Sequence, residues 1–460
     1  MEGIAMPRFS RLLRTLSLSV IVVASITMLA PAAGADEGGK SIDIFMRFHI
    51  KTPNEDSLKQ IVQLLAKRRF KDAELLLRLV TVPQATWLTG GEAAAVAKQV
   101  REVLLQAKVQ RRVPVFVLYN IPGRDCSGYS AGGAQTTAEY VAWVDAITST
   151  IGSRDAIVIL EPDALALLPS DCGQDPTGSL TVDRFAQLSY AIQAMKSLSN
   201  TRVYLDAGHS SWHSVGAIAS RLVQAGVADT QGFYLNPSNY QPTAQQIQFG
   251  TWISKCIAFA ADPSEGGWRL GHYDYCASQY FPATAQDFST WHLSDAWYDS
   301  NMSTGSVAST HFVIDTSRNG QVHASNSPVD PAFAVKPPGG MTLYAQPPFN
   351  QAPATIATLA AGSWCNLRGA GAGARPTTST GVELVDAFVW IKTAGESDGQ
   401  CNSAGGVRAW DYSLYSQPGW PVTPAAQGNF DPLWGRVDPA AGAWFPEQAL
   451  ELARLAAPAL

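Results

Sequence analysis

Short apolar runs, rich in β-branched residues, recur along the chain and stop at polar residues: Leu76 to Val80, Val115 to Tyr119, Ala156 to Leu160, Val203 to Leu205, Phe233 to Leu235, Phe312 to Asp315 and Ala387 to Ile391. Runs of this kind predict strands. Between most of them, apolar residues fall at three-four spacing, over Glu92 to Lys108, Ala138 to Ile151 and Phe185 to Leu198, which predicts helices. Strand, helix, strand in succession implies a parallel sheet. Seven such units predict an α/β fold, a distorted seven-stranded parallel β/α barrel, with an open doubly wound sheet as the alternative. Two stretches break the order, from about Pro237 to Ser309 and from Gly399 to Ala443. Both follow candidate strands and are expected to be irregular walls or lids over the strand ends.

Two of the runs lead into acid. Val115-Phe116-Val117-Leu118-Tyr119-Asn120-Ile121-Pro122-Gly123-Arg124-Asp125-Cys126 is one, and Ile157-Val158-Ile159-Leu160-Glu161-Pro162-Asp163 is the other. Loops at the carboxyl ends of parallel strands face one opening, so Asp125 and Asp163 are expected to meet there. Two carboxylates across an opening suggest acid-assisted hydrolysis.

Composition narrows the partners. Arg8, Arg11 and Arg14 precede an apolar stretch from about Leu16 to Ala30 and the small-residue site Ala33-Gly34-Ala35. This reads as a cleaved secretory signal over residues 1–35, followed by one catalytic domain over 36–460 and export from the cell. The formal charge is −5, and cutting after residue 35 removes three Arg and one Glu to leave −7. Without a basic run to track phosphates, nucleic acid is not expected as a partner, nor is a membrane, and a monomer is expected. Cys126, Cys172, Cys256, Cys276, Cys365 and Cys401 all follow the cut, and an even number in an exported chain favours disulfides. Nearest-neighbour pairing is preferred, each bridge stabilising by roughly 3–4 kcal/mol in the chain-entropy model. The cysteine spacings do not suit zinc, and no metal or cofactor is expected. The chain carries 13 Trp, a number compatible with stacking on sugar rings, although many will pack in the core.

The segment Val117 to Cys126, with Ser130-Ala131-Gly132-Gly133 after it, resembles the first signature of glycoside hydrolase family 6, the cellobiohydrolases and β-1,4-endoglucanases. Leu160-Glu161-Pro162-Asp163 resembles the second. Further similarities follow in the family's order: Leu205-Asp206-Ala207-Gly208-His209, Asn236 to Tyr240, Asp315 to Gly320, Trp364-Cys365-Asn366 and Lys392 to Gly399. The resemblance implies hydrolysis of β-1,4-glucan, as cellulose or cello-oligosaccharides, with inversion. It implies Asp163 as the acid that protonates the leaving oxygen, raised by Asp125 beside it. Asp398 stands at the candidate base position, with a water string through Asp125 and Ser130 as the other route. Tyr119 would crowd the distorted sugar. Trp87, Trp212 and Trp364 match platforms, while His209, Asn236, Lys392, Glu396 and Asp206 match polar sugar contacts. The two long inserts favour a tunnel and a cellobiohydrolase working from non-reducing ends, with an endoglucanase as the alternative.

Other classes leave weaker marks. Gly128-Tyr129-Ser130-Ala131-Gly132 fits a serine-esterase elbow, but it does not directly follow a strand. Asp206, His209 and His213 imitate a metal triad without a Glu between the histidines. A non-catalytic glucan binder would lack an acid, whereas Asp125 and Asp163 are both present.

Overall fold

The computed structural model describes residues 46–321, 344–402 and 406–460; the expected signal segment lies outside them. One seven-stranded sheet runs β1 (Thr86–Leu88), β2 (Val115–Leu118), β3 (Ala156–Leu160), β4 (Thr201–Asp206), β5 (Gly232–Leu235), β6 (His311–Asp315) and β7 (Val385–Val389), in chain order. All neighbouring strands are parallel. Side chains alternate across the sheet as the pleat requires. Val115, Val117, Ile157, Ile159, Tyr204, Tyr234, Val313, Ala387 and Val389 meet inside the curl. Phe116, Leu118, Val158, Leu160, Leu205, Phe233, Phe312 and Ile314 face outward into the helix layer. Burial on both faces explains why the strands read as unbroken apolar runs.

The helices are α1 (Glu55–Ala66), α2 (Phe70–Val80), α3 (Ala93–Gln110), α4 (Thr137–Ile151), α5 (Ser179–Lys196), α6 (Val215–Ala225), α7 (Thr243–Ala260), α8 (His292–Asn301), α9 (Pro353–Ala361), α10 (Pro424–Gly428) and α11 (Pro446–Arg454). Several begin where a side chain caps them: Asn54 accepts from the Ser57 amide at 2.7 Å and Thr136 from Glu139 at 3.1 Å. Gly250 lets α7 lie directly on the sheet, since a Cβ there would meet the Phe312 ring at 2.4 Å.

Between β1 and β7 the sheet is not zipped by a ladder. The gap is spanned by the Ala85 amide on the Trp390 carbonyl (2.9 Å) and the Trp87 indole on the Ile391 carbonyl (2.8 Å). Lys51 reaches in from the N-terminal side to Thr393 Oγ1 at 2.6 Å. The result is a distorted barrel, open along one seam.

Two expectations need correction. Leu76 to Val80 is not a strand but the end of α2, which buries Ala73, Leu76, Leu79 and Val80 at helical spacing. Its Leu-rich sequence favours helix over strand, and the first strand is the short β1 beyond Pro83. The stretch from Pro237 to Ser309 is not irregular throughout, because α7 and α8 occupy much of it. Trp252, Ile253, Trp291 and Tyr298 of this stretch belong to the outer core layer. The stretch from Gly399 to Ala443 matches its expectation more closely, with only the five-residue α10 among its described residues.

The disulfides are Cys126–Cys172, Cys256–Cys276 and Cys365–Cys401, the nearest-neighbour pairing. No helix of the described residues is long and apolar enough to cross a membrane.

Candidate active site

A cleft of about 1020 Å³ lies over the carboxyl ends of the strands. Trp87, Tyr119, Asp125, Ser130, Asp163, His209, Trp212, Trp364, Lys392, Glu396 and Asp398 all line it. Trp87 stands in β1 and most of the others in the loops that follow β2, β3, β4 and β7, while Trp364 comes from the turn after α9, which is why residues far apart in sequence converge.

On one bank, Asp163 follows β3 with left-handed backbone (φ 67°), as does Glu161 (φ 49°). Such conformations cost about 1–3 kcal/mol each and persist only when the surroundings enforce them. Asp163 does not cap a helix; its carboxyl lines the cleft together with Tyr119. Burial raises its pKa well above the carboxylate range, and the charges of Asp206 and Asp125 raise it further. Asp125 is raised too, by burial, against the pull of the Ser130 amide and Arg124. Its Oδ2 accepts from that amide at 2.6 Å. A side chain at Gly128 would meet the same oxygen at 2.6 Å, so the loop closes around the carboxylate only with glycine there.

On the other bank, Asp398 is nearly enclosed. Its Oδ2 accepts from Arg318 Nη1 (2.8 Å), the Asn366 amide (2.8 Å) and the Tyr240 hydroxyl (2.9 Å). Lys392 Nζ lies 3.4 Å from Oδ1. Burial alone would favour the neutral acid, but Arg318 and Lys392 outweigh it and hold the carboxyl below its ordinary range.

Buried carboxylates tie the loops that carry these groups. Glu161 Oε2 accepts from the Asn120 and Ile121 amides at 2.8 and 2.9 Å, fastening the β2 end to β3. Burial pushes its pKa up to about 7. Asp206 Oδ2 accepts from Leu165 (3.2 Å) and Ala166 (2.9 Å), fastening the loop after Asp163 to β4, and burial raises its pKa to about 6. Asp315 at the end of β6 accepts from the Ile391 and Lys392 amides at 3.2 and 2.9 Å, and from Ser238 at 3.2 Å.

Asp206 and Asn236, expected as sugar contacts, therefore lie behind the wall. Asp206 is engaged by backbone amides, and Asn236 is wholly buried, its amide on the Asp315 carbonyl at 2.9 Å. Trp212 lies between His209 and His213, with ring centroids 5.5 Å from each, and burial lowers His209 to about 3, leaving it neutral. Trp364 is 40% exposed, an open ring face at the cleft. The sequence reading gave no role to Glu161, Asp315, Arg318, Tyr240 or Asn366, although all five lie inside the motifs it quoted. Lys51 was outside every motif.

The rival sites do not assemble. His213 Nε2 is bonded to the Ala166 carbonyl and Asp206 is engaged by amides, so the two do not converge on an ion. Ser130 lies in the irregular loop after β2, not at a strand-to-helix turn.

Known proteins point the same way as this geometry. Endoglucanase A of Cellulomonas fimi is 32% identical over 384 residues, 83% of this chain but 56% of its own length. The chain thus spans just over half of that relative. A probable 1,4-β-D-glucan cellobiohydrolase C of Aspergillus terreus is 27% identical over 78% of this chain and 68% of its own. Among solved structures, the endoglucanase Cel6 of Mycobacterium tuberculosis, bound to a thio-linked cellobioside, is 28% identical at a TM-score of 0.56, covering 89% of this chain and 97% of that one. The family model described as glycosyl hydrolases family 6 matches residues 45–456. With nearly the whole chain matched and the strand-end carboxylates gathered in one cleft, the protein belongs to glycosyl hydrolase family 6.

Proposed function

We propose that this protein is a cellulase that hydrolyses β-1,4-glucosidic bonds of cellulose and cello-oligosaccharides with inversion. The observation that carries the reading is the opposed environment of two carboxyls in one cleft. A glycosidic oxygen leaves only when protonated, so one acid must keep its proton near working pH. Asp163, buried and crowded by like charge, meets that need. The opposite face of the sugar needs an ionised group to draw a proton from water, and Asp398, held between Arg318 and Lys392, is ionised. Tyr119 and Trp87, edge to face at 5.4 Å, form the floor on which the reacting sugar is bent. Trp212 and Trp364 supply stacking faces along the cleft, and His209, Lys392 and Glu396 supply polar contacts. The test is Asp163→Ala assayed on unactivated cello-oligosaccharides, with the anomeric configuration of the wild-type product followed by NMR. Near-normal turnover in the variant, or a retained anomer in the product, would overturn the reading.

One observation favours a second route for the water's proton. A carboxylate held ionised by two cations is a weak proton acceptor, whereas Asp125 has a raised proton affinity and is bonded to the Ser130 amide. The relay through Asp125 and Ser130 is therefore the alternative to direct transfer to Asp398.

For the mode of attack we take endo action first. The two helices of the first insert, α7 and α8, pack on the sheet and do not line the cleft, and of the described residues of the second insert only Ala441 and Gly442 line it. Similar proteins are named both as endoglucanases and as cellobiohydrolases, so the preference rests on the cleft wall alone. Release of cellobiose from non-reducing ends keeps the support of Tyr280, Ala285 and Gln286, which bring part of the first insert to the cleft wall. A fast fall in the viscosity of substituted cellulose relative to reducing sugar released supports endo action; a slow fall supports exo. Secretion is proposed from the leader-like first 35 residues and the three disulfides.

A further inference from the structure

Linked to Asp398 through Asn366, and not among the residues that line the cleft, two more acids are enclosed: Asp431 is 0% exposed and Asp438 2%. A carboxylate oxygen of each lies within 4.8 Å of the other and of Cys401 Sγ. That sulfur is committed to the Cys365–Cys401 bridge, so no thiolate is on offer to a metal. Asp431 Oδ1 accepts from Arg408 Nε at 3.2 Å and from the Leu433 amide at 2.8 Å. Asp438 Oδ2 accepts from Asn366 Nδ2 at 2.9 Å. The other two oxygens, Asp431 Oδ2 and Asp438 Oδ1, meet no donor among the described residues. Arg408, itself 0% exposed, is the ion-pair partner of Asp431 and can balance one of the two negative charges. A second buried charge without a partner is very costly, and one proton between the two unsatisfied oxygens would remove that charge and satisfy both atoms.

Asn366 carries the pair's position to the site. Its Nδ2 also holds the Gly399 carbonyl at 2.9 Å, its Oδ1 accepts from the Asp398 amide at 2.9 Å, and its own amide donates to Asp398 Oδ2. We propose that Asp431 and Asp438 share one proton and act, through Asn366, as the latch that positions Asp398. This rests on the reading of Asp398 given above. Burial first, and then Asp431, push Asp438 up to about 9, while burial raises Asp431 despite Arg408. The other titratable or charged groups facing the pair are Tyr129, Tyr344 and Tyr412, and beyond Asn366 stand Asp398, Arg318 and Lys392. The folded pair keeps a proton that the unfolded chain releases above about pH 4, so its contribution to stability declines as pH rises from there toward about 9. Above that range two anions face each other, and the grip on Asn366 loosens.

The test uses the whole chain, with Asp438→Asn and Asp438→Ala compared for thermal midpoint and for kcat and KM on a soluble cello-oligosaccharide, across about pH 5 to 10. The asparagine is a neutral isostere that can donate to Asp431 and still accept from Asn366. It is expected to flatten the fall of the thermal midpoint with pH and to move the alkaline loss of kcat upward. The alanine is expected to lower kcat about tenfold with little change in KM, a loss that the asparagine restores. A thermal midpoint that falls with pH in the asparagine variant as steeply as in the wild type would overturn the shared proton. An unchanged kcat in the alanine variant would overturn the latch. The thermal arm does not involve turnover, so it passes or fails independently of what Asp398 does in the reaction.

Discussion

The two banks of the cleft are built from the same residue type and reach opposite results. On the β2–β4 bank, carboxyls are packed against apolar strand ends and one another, and burial raises the proton affinity of Asp163 well above the carboxylate range. On the β6–β7 bank, Asp398 is just as enclosed but is met by Arg318, Lys392, Tyr240 and an amide, and it stays ionised. Burial is common to both; what separates them is the charge of the neighbours. In the proposed reaction an acid and an acceptor share one fold at one pH because each bank sets its own proton affinity.

The largest effect should follow loss of the proton donor. Asp163→Ala is expected to lower kcat on cello-oligosaccharides by about 100- to 10,000-fold, and far less on substrates with an activated aryl leaving group. Equal losses on both substrates would deny Asp163 its place on the acid bank. Next comes Arg318→Gln, which leaves Asp398 and the Tyr240 hydroxyl without their cation. Breaking a buried pair from one side costs about 3–5 kcal/mol, read as a lowered midpoint in urea. Asp398 then gains proton affinity, so the acid limb of kcat/KM should move to higher pH; an unmoved limb would separate Asp398 from that titration.

A smaller shift of opposite sign is expected on the acid bank. Asp125→Asn removes one of the charges that raise Asp163, so the alkaline limb should move to lower pH, by up to about one unit. A shift upward would mean that Asp125 does not act on Asp163 through its charge. Smallest of all, Trp364→Ala removes a half-open platform and should raise KM several-fold while kcat changes little. Isothermal titration of cello-oligosaccharides into an Asp163→Ala background would check it.

What could be read from the chain follows the physics of each region. Strands β2, β3, β5 and β6 were visible because burial on both faces forces continuous β-branched and aromatic runs, and the acids after β3 and at the ends of β4 and β6 mark the rim. The end of α2 misled because the five residues Leu76 to Val80, taken alone, are too few to show the helical period that appears once Ala73 is included. Helix α7 escaped because it buries Gln245, Gln246 and Ser254 along with Phe249 and Trp252, leaving no clean polar face. The cleft residues were legible as a set, since motifs in chain order converge wherever parallel strands end. Their division of labour was less so. Asp206 and Asp163 each follow an apolar strand, yet one serves backbone amides and the other the cleft, and only the fold decides which way a carboxyl turns. Arg318 and Lys51 illustrate the same limit, because their partners lie 80 and 342 positions away.

Two of the three disulfides lie in loops that bear on the reaction, not in the barrel itself. Cys126 adjoins Asp125, and the Cys365–Cys401 bridge joins the segments that hold Trp364, Asn366 and Asp398. Under a reducing agent both rims would lose these tethers, and with them the roughly 3–4 kcal/mol that each bridge contributes in the chain-entropy model. The same two bridges therefore fasten the loops of the proposed reaction as well as the chain that carries them.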